Sequence, residues 1–269
     1  MRILNPAAPR GQVAFALFDF DGTLSRLRRG WETVMQRYME EVITSGSALD
    51  VQSVRAEITT YIDESTGILT IHQMRWLTAA FRRLRPGSEP LGAHEHKRRY
   101  NARMAQLVKA RLHGLRAQQI VEQYTVAGAS EFLATLDRKD VVLYLASGTD
   151  DVYVQEEAAI LGVCCPFHGR VYGARDDTEE YTKENIIRRI LTGLSDSSEQ
   201  TMVVFGDGPV EIRAAKDFGA IAVGLATDEE QGHGWNEHKV RRLARAGADV
   251  LIPDFRGGTG VLEFIERGA

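Results

Sequence analysis

Residues 13–20 (VAFALFDF) form a short, almost unbroken apolar run with one acid near its end, and no strand-like alternation follows from about residue 26 to 120. A run of that kind suits a strand covered on both faces, with Asp19 at its C-terminal tip. From Trp31 the period changes. Trp31, Val34, Met35, Tyr38, Met39 and Val42 recur at the spacing of one helix face. The same period predicts helices over 51–62, 68–84 and 94–112, and the segment 85–90 (RPGSEP) is the clearest break between them. Beyond residue 120 the pattern alternates. Strands are expected at 141–146, 201–205, 220–225 and 249–252, and helices at 129–136, 151–161, 181–191, 210–218, 236–246 and 261–265. That order implies an α/β fold, a Rossmann-like parallel sheet with helices on both faces. The core would comprise residues 1–25 and 121–269, and residues 26–120 would be an all-helical insertion placed directly after the first strand.

The charge balance agrees with two unlike parts. Of 33 Lys+Arg and 37 Asp+Glu, the segment 26–120 holds 16 and 9, a surplus of seven positive charges, and the remainder holds 17 and 28. The net charge of −4 excludes a globally basic nucleic-acid binder. The two cysteines are adjacent (Cys164, Cys165), so no disulfide framework is expected; they read as small buried hydrophobes in a reducing, cytoplasmic protein. No apolar run reaches the roughly 18 residues that a membrane span needs, and the opening residues MRILNPAAPRGQ carry no apolar signal core.

Ligands of open parallel sheets sit at the C-terminal ends of strands. Three expected tips carry Asp19-Phe20-Asp21-Gly22-Thr23, Ser147-Gly148-Thr149 and Gly206-Asp207-Gly208-Pro209-Val210-Glu211. Lys183 opens a helix between the second and third, in a chain with six lysines against 27 arginines. Asp19, Asp207 and Glu211 are hard oxygen donors of the kind that suit Mg²⁺. An ionised carboxylate beside such a cation can attack phosphorus, and the acid two residues on can protonate the leaving oxygen. Gly22 permits a sharp turn that aims N–H groups at a phosphoryl oxygen, while Ser147 and Gly148 offer a hydroxyl and an open N–H to the same group.

The chain resembles the haloacid dehalogenase-like superfamily of phosphohydrolases over nearly its whole length. Asp19-Phe20-Asp21-Gly22-Thr23-Leu24 is similar to the family's first motif, Ser147 to the second, Lys183 to the third, and Gly206-Asp207 through Glu211 to the acidic fourth, in the family's order. The helical insertion resembles the C1 cap of the phosphoglycolate phosphatase and β-phosphoglucomutase-like branch. The resemblance implies that Asp19 is the nucleophile and a Mg²⁺ ligand. Asp21 would be the general acid/base and give its backbone carbonyl to the metal, and Thr23 would brace the turn. Ser147 and Lys183 would bind the phosphoryl group, with Lys183 also paired to Asp19, and Asp207 and Glu211 would complete the metal site. Glu211 stands where the family often has Asp, and Lys183 is followed by Glu184 rather than Pro.

The expected reaction is Mg²⁺-dependent hydrolysis of a small phosphate monoester, a sugar phosphate or phosphoglycolate-like, through an aspartyl-phosphate. The same residues would serve a phosphomutase, and a non-catalytic phospho-receiver module is the reading from another class. The expected partner is a small phosphorylated metabolite, with no nucleic acid and no membrane, and the chain is expected to be a monomer or homodimer. Arg26, just after the first motif, and Arg75, at a loop-to-helix start, are candidates for substrate contact. His94/His96 and His233/His238 lack the converging ligands of a zinc site. Neither inserted lysine, Lys97 nor Lys109, stands out.

Overall fold

The computed structural model describes residues 1–118, 120–175, 182–193 and 200–266. Among these, seven strands form one sheet: β1 (Arg2–Ile3), β2 (Gln12–Phe18), β3 (Val142–Asp150), β4 (Val171–Ala174), β5 (Gln200–Gly206), β6 (Ile221–Leu225) and β7 (Val250–Ile252). The order is β1-β7-β6-β5-β2-β3-β4, with β1 antiparallel to β7 and the other pairings parallel. Ten helices accompany them: α1 (Trp31–Thr44), α2 (Val51–Glu64), α3 (Thr70–Leu84), α4 (Ala93–Gln118), α5 (Ala129–Arg138), α6 (Asp151–Ile160), α7 (Lys183–Gly193), α8 (Pro209–Asp217), α9 (Glu237–Ala246) and α10 (Gly258–Glu266).

Successive strand residues point to opposite faces, and both faces here are dry. Phe18, Val203, Phe205, Val223 and Val250 face one apolar cluster; Leu17, Met202, Val204, Ala222 and Leu251 face the other. Two-sided burial is the reason these strands read as continuous apolar runs rather than alternating ones. Phe18 stacks on Phe205 at 4.6 Å and meets Phe132 of α5 edge-on, which ties the central strand to the helical layer.

Helices α1 to α4 build a third apolar cluster from Met35, Tyr38, Met39, Ile58, Met74, Leu77, Tyr100 and Met104. The expected helix at 94–112 runs on to Gln118. The chain leaves the sheet and returns to it side by side: Arg26 N–H donates to Tyr124 O (2.7 Å) and Val126 N–H to Leu24 O (3.0 Å). Two short elements were not expected. β1 spans two residues, and β4 is a four-residue edge strand containing Gly173, too brief for a period to register. Tyr181, the expected first residue of the helix observed as α7, lies outside the described residues. The buried cysteine pair is corrected: Cys164 is half-buried and Cys165 exposed, because they sit at a surface 3-10 turn. No helix among the described residues is long and apolar enough to cross a membrane.

Candidate active site

Strand β2 lies between β5 and β3, so its tip is flanked by theirs. Asp19 N–H donates to Phe205 O of β5 at 2.9 Å, which sets the carboxylate beside the Gly206–Asp207 tip. Phe20 then turns its ring into the core, and its carbonyl accepts from the N–H groups of Thr23, Leu24 and Ser25. Gly22 closes the turn at φ 78°, and any Cβ there would collide with the Asp207 carboxylate. The loop of the first acids is thus folded tightly against the third tip.

Asp19 Oδ1 lies 2.7 Å from Lys183 Nζ, and Thr23 Oγ1 donates to Asp19 Oδ2 at 3.3 Å. Lys183 also reaches Glu211 Oε2 at 3.1 Å, while Glu211 Oε1 accepts from Gly208 N–H at 2.7 Å. Glu211, the third residue of α8, therefore caps the Gly208 N–H at the start of the helix as well as holding Lys183. Burial pushes Asp19 well above the usual carboxylate range; Lys183 opposes this, and Glu211 and Asp207 reinforce it. Lys183 goes up because Asp19 and Glu211 outweigh the burial that opposes its charge.

Asp21 faces the second tip. Thr149 Oγ1 donates to its Oδ2 at 2.8 Å and Ser147 Oγ at 3.4 Å, and Thr149 N–H donates to Ser147 Oγ at 3.1 Å. A register shift in β3 between Ala146 and Asp150 aims these hydroxyls at one carboxyl. The other oxygen, Oδ1, is buried without a hydrogen bond, 3.8 Å from Arg28 Nε. Burial raises Asp21 above its ordinary pKa, opposed chiefly by Arg28 and Thr149.

Asp19, Asp207 and Glu211 each bring a carboxylate oxygen to within 4.8 Å of the other two, all three buried. Three hard oxygen donors at that spacing, with net negative charge, fit a small divalent cation. Burial opposes Asp207's ionisation, yet Lys239 and Arg242 bring it below the usual range. Lys239 Nζ sits 2.6 Å from Asp207 Oδ2 and 2.6 Å from Glu229 Oε1. Arg242 Nη2 donates to Asp207 O at 2.9 Å and its Nη1 to Asp63 Oδ1 at 3.0 Å, tying α9 to the end of α2.

The cleft is lined by Asp19, Asp21, Ser147, Gly148, Lys183 and Asp207 from the tips and by Thr66, Gly67, Ile68, Gln73, Tyr100 and Asn101 from the helical segment. The 66–68 segment passes directly over the tips. A Cβ at Gly148 would run into Ile68 O, and one at Gly67 into the Glu211 carboxylate. Arg26 and Arg75 are the exceptions among the expected residues. Arg26 turns away to donate Nε and Nη2 to Glu229 O and Glu230 O (2.6 and 2.7 Å), and Arg75 is exposed on α3, outside the cleft lining.

Sequence reasoning passed over Tyr100, Asn101, Asp150 and Lys239; it placed Arg28 beside Arg26 near the cleft rim, Thr149 in the second tip and Lys97 in the insertion, and gave none of these three a role. One signal was available. Three of only six lysines, Lys97, Lys183 and Lys239, are buried around this cleft. In a chain that uses arginine for its surface, a lysine marks a special position.

A family model described as haloacid dehalogenase-like hydrolase matches residues 14–219. The chain belongs to the haloacid dehalogenase-like hydrolases. No curated protein matches it. Among solved structures, this hydrolase is similar to a conserved haloacid dehalogenase-like protein of unknown function from Agrobacterium tumefaciens (18% identity, 93% of this chain and 97% of that one, TM-score 0.56). It is similar also to a protein described as a predicted phosphoglycolate phosphatase from Haemophilus somnus (15%, 93% and 98%, 0.58). A candidate β-phosphoglucomutase from Bacteroides vulgatus matches at 16% identity (95% and 91%, 0.58). At these identities the likeness is one of fold.

Acids crowd the far side of Asp207 too. Glu32, on α1, is pushed up to about 7 by burial and by Glu229. Folding therefore takes up a proton at Glu32, and the stability this confers is lost as the pH rises from the ordinary value of 4.5 through about 7. The Glu32→Gln variant of the hydrolase is expected to melt several degrees above the parent at pH 8 and close to it at pH 5. Calorimetry at the two pH values checks this; a gain of equal size at both counts against it.

Proposed function

We propose that this hydrolase cleaves a small phosphate monoester through an aspartyl-phosphate at Asp19. The observation that carries the reading is the joining of Asp19, Asp21, Ser147 and Lys183 around one cleft, beside the buried Asp19–Asp207–Glu211 set. Asp19 attacks phosphorus as the ester oxygen departs, and Asp21 gives that oxygen its proton. Asp21 then takes a proton from the water that hydrolyses the aspartyl-phosphate, which returns both carboxyls to their starting state. Ser147, Lys183 and the N–H of Gly148 hold the phosphoryl oxygens; the Gly22 N–H, expected to join them, is instead donated to Ser25 O at 2.8 Å within the turn. Thr149 orients Asp21 through its 2.8 Å hydrogen bond. Asp19, Asp207 and Glu211, with the Asp21 carbonyl, would hold Mg²⁺, whose charge lowers the repulsion between these acids and the phosphoryl group.

The chain is read as a catalytic core, residues 1–25 and 121–269, with a helical cap, residues 26–120. What supports the division is the separate apolar cluster of α1–α4 and the paired exit and return segments. The cap excludes water during the transfer.

Phosphate release from a panel of phosphorylated metabolites is expected with Mg²⁺ and to fall to background with a chelator in its place. A mutase assay on hexose 1-phosphate runs beside it. Isomerised hexose phosphate without free phosphate would turn the reading toward a phosphomutase. A stable phosphoprotein with no turnover would turn it toward a receiver module.

A further inference from the structure

We infer that the ester accepted here carries its charge on the phosphoryl group alone, and that the alcohol it releases is uncharged and hydroxyl-bearing, of the polyol or sugar kind. The inference rests on the phosphomonoesterase reading above and narrows it. It comes from where the cations around the cleft are committed.

Two described cations line the cleft, Arg28 and Lys183. Lys183 is held by Asp19 and Glu211 and belongs to the phosphoryl end. Arg28 lies on the leaving-group side, where it could receive a carboxylate or a second phosphate. Its guanidinium is already taken. Nη2 donates to Glu157 Oε1 at 2.5 Å and Nε to Glu157 Oε2 at 3.2 Å, a two-point pair with both side chains buried, and Asp21 Oδ1 stands 3.8 Å away. The next cation outward, Lys97, lies 2.5 Å from Asp150 Oδ1. A second anion on the substrate would have to strip a buried carboxylate of its partner, and an unpaired buried charge is costly.

The formal charge of the lining points the same way. Among the described residues that line the cleft, Asp19, Asp21, Asp150 and Asp207 face Arg28 and Lys183, four acids to two cations. A divalent cation would balance this lining before substrate arrives, and the phosphoryl dianion then makes it negative again. A further negative charge would enter an already negative site.

The neutral groups supply what hydroxyls need. Tyr100 and Gln73 are buried on the leaving-group side. Asp150 accepts from Asn101 Nδ2 at 2.8 Å, which turns a carboxylate and an amide toward the same side of the cleft. Trp31 and Ile68 add apolar surface suited to C–H faces. Carboxylate, amide and aromatic groups together recognise polyols by hydrogen bonding without adding positive charge.

The test uses two matched pairs that differ only in a hydroxymethyl group against a carboxylate: glycerol 3-phosphate with 3-phosphoglycerate, and 2-hydroxyethyl phosphate with phosphoglycolate. p-Nitrophenyl phosphate serves as the general reporter. The hydroxyl member of each pair is expected to have a kcat/KM, or a Ki against the reporter, better by about tenfold or more. Equal or better values for the carboxylate members overturn the inference and leave the phosphatase reading standing. Release from none of the five esters overturns both. In Glu157→Gln, Arg28 loses its partner charge, and the ratio is expected to move toward the carboxylate members by about tenfold. Because both members are measured on the same preparation, a loss of packing lowers them alike and leaves the ratio where it was, which counts against the inference.

Discussion

Asp19→Asn is expected to lower phosphate release by about 10⁴-fold or more, to the assay background, while the protein stays folded. The substitution preserves shape and replaces the attacking oxyanion with an amide that does not attack phosphorus. Folding should survive because Asp19 carries a charge that burial opposes and that Glu211 and Asp207 repel. Lys183 keeps Glu211 as its partner at 3.1 Å, so no cation is stranded. Phosphate release is measured with Mg²⁺ beside a melting curve of the same sample. A variant that keeps more than about a hundredth of the parent rate would falsify the assignment of the nucleophile.

Lys239→Met carries the second largest effect, and it falls on stability. The Lys239 ammonium lies 2.6 Å from both Asp207 Oδ2 and Glu229 Oε1, and all three residues are largely shielded from water. Methionine has about the same volume and leaves the two carboxylates without the ammonium between them, with Arg242 the cation that still favours Asp207's charge. Removing one partner of a buried ion pair costs about 3–5 kcal/mol, or a fall in Tm of roughly 10 °C for a chain of this size. If a divalent cation occupies the Asp19–Asp207–Glu211 set, it relieves part of this repulsion, and the fall should be smaller with Mg²⁺ present. An unchanged Tm without metal would mean that the Lys239 cluster contributes nothing to the fold.

The parallel sheet was legible because both of its faces are buried. The run that ends at Phe18 and the run that ends at Phe205 each had to be apolar at successive positions, and a buried strand of five to seven residues has few other readings. The helices of the inserted segment were legible for the converse reason, since Met35, Tyr38 and Met39 of α1 repeat at 3.6-residue spacing over a single buried face. The brief edge strands β1 and β4 lacked the length to carry any period. At the cleft, Asp19, Asp21, Ser147, Asp207 and Glu211 stood out because acids, serine and glycine at strand tips conflict with the apolar pattern around them. Arg26 misled because closeness in sequence to the first acids says nothing about side-chain direction. It leaves toward the Glu229 and Glu230 carbonyls, while Arg28, two residues on, turns into the cleft.

The sequence by itself determined the layered α/β architecture, the helical insertion after the first strand and the acids at the strand tips, since each of these is written in local period and local composition. Only the tertiary structure decided which cations besides Lys183 answer the acids around the cleft. Lys239 meets Asp207 across 32 positions and Arg28 meets Glu157 across 129. Charges that far apart leave no spacing to read, and a surface arginine and a buried one look alike in the chain. Their pairing is settled by burial, which removes water and obliges each carboxylate to find a partner.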